Sequence, residues 1–168
     1  MPLNSVQLYV QSLLDGLVVP GEAQPLKAYV TPPVIDKLNG PRAYVWGGRL
    51  RGERQTAPRG PAFKHLAWTI DVYVSYLTPP GGALADQQFP LIVDAIMAAT
   101  WAAKIPLMID SQGQPVINPL EPPPGASQIL NIGEQFELEY PPERNAASLR
   151  LLYYTCRLGL DIYEVVQG

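Results

Sequence analysis

Cysteine and histidine are almost missing from this chain of 168 residues, which holds one of each, Cys156 and His65. A lone cysteine excludes an internal disulfide, and no charged-then-apolar leader opens the sequence, so a reducing cytosol is the expected place of synthesis and assembly. One histidine and one cysteine do not make the usual zinc site, and no group of carboxylates has the spacing of a calcium loop. No metal or cofactor is expected. Long apolar runs are missing too. The best of them, "FPLIVDAIMAATWAA", contains Asp94 and falls short of the roughly 20 residues that cross a bilayer, so no membrane role is expected.

The same scarcity limits catalysis. A nucleophile needs a base within hydrogen-bond reach, and any histidine-dependent arrangement would rest on His65 alone, a residue flanked by Lys64 and Leu66 that reads as a solvated strand entry. Cys156 lies inside an apolar alternation, the setting of a small core residue and not of a reactive thiolate. "GGRLRG" has no Lys-Ser/Thr ending and opens no helix, so its glycines do not read as a phosphate cradle. Asp71, Glu137 and Glu139 could form an acid-base pair, but alternating acids are more simply the wet face of a sheet. The chain is not expected to be an enzyme.

What is abundant is proline and glycine, 19 and 14 residues, which imply long loops around one domain spanning 1–168. Val6, Tyr9, Val10, Leu13, Leu14 and Leu17 fall at helical spacing, with Asn4 and Gln7 placed as a capping box. "KAYVTPP" and "RAYVWGG" read as short strands, the first at a sheet edge. "LAWTIDVYVSYL" is a clear strand, with Trp68, Ile70, Val72, Val74 and Tyr76 on a core face and Thr69, Asp71, Tyr73 and Ser75 on a partly wet one. A second, longer helix follows over "FPLIVDAIMAATWAAK", with Asp86 as cap and Pro90 in its first turn. Three strand regions complete the chain: "IPLMIDSQGQPVIN" with a turn at Gln112 and Gly113, "QILNIGEQFELEY", and "LRLLYYTCRLGLDIYEVV", the last as one bent strand or two joined near Gly159. "PPERNAA" between them reads as a loop. The expected fold is α+β: a mostly antiparallel β-sheet, two main α-helices packed on one face, and a long extended arm or hairpin at about 42–64.

That arm concentrates the charge. Between Arg42 and Lys64 stand six basic residues (Arg42, Arg49, Arg51, Arg54, Arg59 and Lys64) against the single acid Glu53. This local +5 leaves −8 for the rest of a chain whose total is −3. The segment shows neither helical nor strand periodicity, so its order is expected to come from another subunit. It can be a solvated loop, a nucleic-acid contact without an aromatic platform, or a limb that docks on a neighbouring copy. The third reading is favoured, with arginine forks meeting outward carboxylates such as Glu137 and Glu139.

Taken together, "RAYVWGGRLRGERQTAPRG", "FKHLAWTIDVYVSYLT", "FPLIVDAIMAAT", "QILNIGEQFELEYPPERN" and "LRLLYYTCRLGLDIYEVVQ" resemble the tail terminator proteins of long-tailed (siphovirus) actinobacteriophages. The resemblance runs from about Tyr44 onward and, more loosely, includes the first helix. It implies a non-enzymatic virion protein of the tail neck, a hexameric ring at the head-proximal end of the tail tube. Such a ring stops growth of the tube, contacts the tail tube protein and the head-completion or neck proteins, and lets genomic DNA pass through its lumen without specific binding. The proline-stiffened loops "TPPGGALADQQ" and "INPLEPPPGAS" are the expected axial contacts. The alternatives are a head-tail adaptor or stopper and, in another class, a small nucleic-acid-binding protein with a basic arm.

Overall fold

The computed structural model describes residues 2–33, 40–55, 63–78, 83–102, 108–118, 120–121, 123–124, 126–138, 143–148 and 151–167. In chain order these form α1 (Pro2–Leu14), β1 (Lys27–Tyr29), β2 (Gly40–Gln55), β3 (Phe63–Thr78), α2 (Ala83–Ala102), β4 (Met108–Ile109), β5 (Ser127–Leu138), β6 (Glu143–Ser148) and β7 (Leu151–Gln167). One sheet holds all seven strands in the order β1-β2-β3-β7-β5-β4, with β6 also paired to β7. Only β1 and β2 are parallel among these pairs, so the expected α+β fold with a mostly antiparallel sheet is the one observed.

Both helices lie over the sheet and touch each other, α1 against β1 and β2, α2 against β3 and β5. Val6, Tyr9, Val10 and Leu14 of α1 and Phe89, Ile92, Val93 and Ile96 of α2 close over Ala43, Val45, Ile70, Val72 and Val74 of the sheet. Burying each of the large aliphatic or aromatic side chains is worth about 1.5–3 kcal/mol, which makes this layer the main source of stability. The second face of β3 is drier than its alternation suggests. Asp71 and Ser75 are buried along with Ile70, Val72 and Val74, while Thr69 and Tyr73 are half-buried.

Helix starts differ from the capping signals. α1 is already helical at Pro2, a residue whose missing N–H suits a first turn, so Asn4 is inside the helix and exposed. Gln7 does not close a capping box; its side chain crosses to the sheet. α2 begins at Ala83, so Asp86 is within the helix and not its cap, and Pro90 is interior. Apolar packing of Phe89, Ile92 and Ile96 outweighs the hydrogen bond that Pro90 withholds from the preceding turn. α1 ends at Leu14, short of the Leu17 that the helical pattern includes, and Gly16 (φ 83) follows in the left-handed region. Its N–H reaches the carbonyl of Leu26 at 2.9 Å and turns the chain back into β1.

Two segments are strand where the sequence pattern does not indicate it. β2 does not stop at "RAYVWGG" but continues to Gln55, and "ERNAAS" forms β6, which pairs with Leu151–Thr155 of β7. Neither segment has strand propensity to announce it; a neighbouring strand with free backbone groups supplies the reason to extend. Of the two readings of the last region, one strand or two, the structure has one: β7 runs for 17 residues through Gly159.

Candidate functional site

The basic segment is a hairpin limb of the sheet. From Gly40 to Gln55, β2 pairs antiparallel with β3, ending at Arg54↔Lys64 and Gln55↔Phe63. The expectation that order in 42–64 must come from another subunit is therefore corrected for 42–55 and 63–64, whose backbone finds its partner inside the chain. Residues 56–62, with Arg59, lie outside the described residues.

A bulge separates the root of this hairpin from its limb. Register slips by one residue between Val45 and Gly48, where Gly47 (φ 83) and Gly48 (φ 139) adopt angles that L side chains rarely reach. Gly48 also presses on the backbone carbonyl of Thr69, leaving no room for a Cβ. Gln7 Nε2 donates to the carbonyl of Gly47 at 3.4 Å, and Asp71 is buried beside the same glycine. The neighbouring Trp46 is 44 % exposed.

Below the bulge the sheet edge is closed. β1 pairs with Arg42, Ala43 and Tyr44, and α1 covers β1 in turn. Asp15 Oδ1 accepts from the Ala28 N–H at 3.1 Å, and Gln11 Nε2 donates to the Ala28 carbonyl at 3.1 Å. The Tyr29 and Tyr44 rings stack at 5.6 Å, with the Arg42 guanidinium over Tyr29, so this arginine is engaged within its own chain. The Tyr76 hydroxyl donates to Glu22 Oε1 at 2.7 Å and ties the loop after α1 to β3; burial first, then the Glu22 carboxylate, raise the phenol above its ordinary range. Above the bulge, no described strand pairs with the outer edge of β2.

The structure gathers the basic residues on the β2–β3 hairpin, with Glu53 among them, and holds Glu137 apart from them. Arg49 is exposed and opposite Thr69, Arg51 is opposite Ala67, and Arg54 faces Lys64. Glu53 is opposite His65. Glu137 belongs to β5 and is in register with Gly159 of β7; Glu139 lies outside the described residues. β3 and β7 intervene between β2 and β5, a separation of about 14 Å at ordinary strand spacing, so the β2 arginines and Glu137 are on different flanks of one sheet.

A second surface is the loop after β4. Asp110 Oδ1 accepts from Gln112 N at 2.8 Å and Gln114 N at 2.9 Å, building the expected turn, and Gly113 (φ 74) is buried against α1. Beyond it Ile117 is 98 % and Leu120 90 % exposed, with Leu120 N bonded to Asn118 Oδ1 at 3.2 Å. The loop was legible from its prolines, but not that its two apolar residues stand in solvent. The other proposed contact loop is shorter than expected, since residues 83–88 of "TPPGGALADQQ" are the first turns of α2.

Among the described residues no helix is long and apolar enough to cross a membrane, and no group of three His, Cys, Asp or Glu residues is placed to share a metal ion. No protein-family model matches the chain, and no curated protein matches it either.

Proposed function

We propose that this protein is a structural virion component, a tail terminator that forms a ring, hexameric by the resemblance stated above, at the head-proximal end of a phage tail tube. The observation that carries the reading is the placement of charge: the hairpin arginines occupy one flank of the sheet and Glu137 the other, so they satisfy each other only between copies. A surface and its complement on different flanks of one subunit make a head-to-tail contact, which closes into a ring when the rotation permits. Ile117 and Leu120, held out on a proline-stiffened loop, supply a separate apolar surface for the tail tube protein or a neck protein. The ring stops tube growth because its two faces differ, so the face left exposed is not a template for another tube subunit.

Sedimentation and electron microscopy of the purified protein, alone and with tail tube protein, test this reading. Rings that bind tube ends support it; rings that bind portal-side proteins but not tubes favour the adaptor or stopper. The Arg54–Lys64 juxtaposition favours a second reading, a basic limb for nucleic acid. Salt-dependent retention of DNA by a monomer would support that reading and count against the terminator.

A further inference from the structure

We propose that copies of this chain join by strand addition, the edge of β2 from Gly48 to Gln55 taking up the outer edge of β5 of the next copy. The inference rests on the ring reading above and names how the ring is joined. Two open edges make it possible. β1 covers β2 only at residues 42–44, and β4 covers β5 only at Ser127 and Gln128. Among the described strands the remaining lengths, Gly48–Gln55 and 129–138, have a partner on one side alone. Uncovered edges invite pairing, and proteins that keep them long commonly blunt or fill them.

Direction and charge select the occupant. β2, β3, β7 and β5 are neighbours, each antiparallel to the next, so β2 and β5 run in opposite directions at the two flanks. A rotation that carries one copy onto the next therefore sets β2 beside β5 antiparallel and keeps the alternation of the sheet. Gly48–Gln55 carries Arg49, Arg51 and Arg54 against Glu53, whereas Ser127–Leu138 carries Glu134 and Glu137 and no basic residue. Pairing β2 with β2 of another copy would oppose two edges of the same positive sign; pairing it with β5 opposes unlike ones. Register shifts at Ile129/Asn131 and Ile132/Phe136 divide the β5 edge into short runs. Such an edge resists indiscriminate addition.

Disulfide trapping tests the inference. In a Cys156→Ala background, Arg51→Cys is combined in turn with Asn131→Cys and Gln135→Cys, and each variant is mildly oxidised after its thermal melt confirms folding. The expected result is a ladder of covalent multimers from at least one double variant, while every single variant stays at monomer mass. Efficient dimers from Arg51→Cys alone would overturn the proposal, because β2 would then meet β2. Assembled protein without a ladder from any double variant would overturn it and leave the ring reading standing. A protein that stays monomeric at every concentration would remove both. Hydrogen exchange on the unaltered chain gives an independent readout. Half of the amides between Gly48 and Gln55 already bond to β3, so assembly should slow the alternate ones at least tenfold, and no change on assembly would also overturn the proposal.

Discussion

Gly113 sits where the turn after β4 presses on α1, and a Cβ there would come within 2.6 Å of both the Ser5 carbonyl oxygen and the Tyr9 nitrogen. With φ at 74 as well, Gly113→Ala meets a backbone clash and a disfavoured angle together. A loss of about 1–3 kcal/mol in denaturant unfolding is expected, with α1 loosened from the turn. A stability equal to the parent protein would show that the turn can withdraw from the helix. The turn itself was readable, because Gln112 and Gly113 follow an apolar run and Asp110 is the residue type that bonds to nearby backbone. Gly47 and Gly48 were harder. In sequence they read as flexibility, yet here they hold fixed positive angles at a bulge, and composition does not separate a glycine that permits motion from one that permits a single strained geometry.

At the scale of the element, α1 does more than cover the core. Gln7, Gln11 and Asp15 follow one another at four-residue intervals, so they share a helix face, and each bonds to backbone of the sheet side. Asp15→Ala leaves the Ala28 N–H without its side-chain acceptor and should cost about 1 kcal/mol, read as a lowered denaturant midpoint with an unchanged slope. Periodicity showed the apolar stripe of α1 but not this polar one, since its targets come from β1 and β2 and have no signature in the helix. The same holds for the distal half of β2 and for β6, whose pairing partners decide their conformation. The Tyr76–Glu22 tie has a pH consequence. Its phenol is raised in the folded chain, so the protonated form is favoured by folding; that contribution is present in full below the ordinary tyrosine value of 10.0 and is lost as pH rises above it. Tyr76→Phe should flatten this alkaline loss of stability relative to the parent, and identical pH profiles would refute the role given to the tie.

For the whole molecule, two surfaces make separable predictions. Replacing Arg49, Arg51, Arg54 and Arg59 together by serine should lower the ring population and move assembly to higher protein concentration, although exposed pairs are each worth only about 0–1 kcal/mol. Sedimentation unchanged across salt and dilution would contradict this. Ile117→Ser with Leu120→Ser should leave ring formation intact and weaken binding to tail tube protein, because both residues are already in solvent. Equal binding by this variant would take the loop out of the axial contact. The α+β class, the two helices and a basic arm or hairpin were visible in the sequence, but the pairing of that segment within its own chain and the charge on opposite flanks were not, since both depend on strand order. That order also constrains synthesis. β7, last in chain order of the seven described strands, is central in the sheet, with β3 along one side and β5 and β6 along the other. Until it has been made, the β2–β3 hairpin and β5 have no strand in common, and the sheet cannot close. Closure of the sheet therefore waits for β7, with most long-range pairings formed at once, and a nascent chain stalled before Leu151 would carry two unjoined half-sheets with edges open to aggregation.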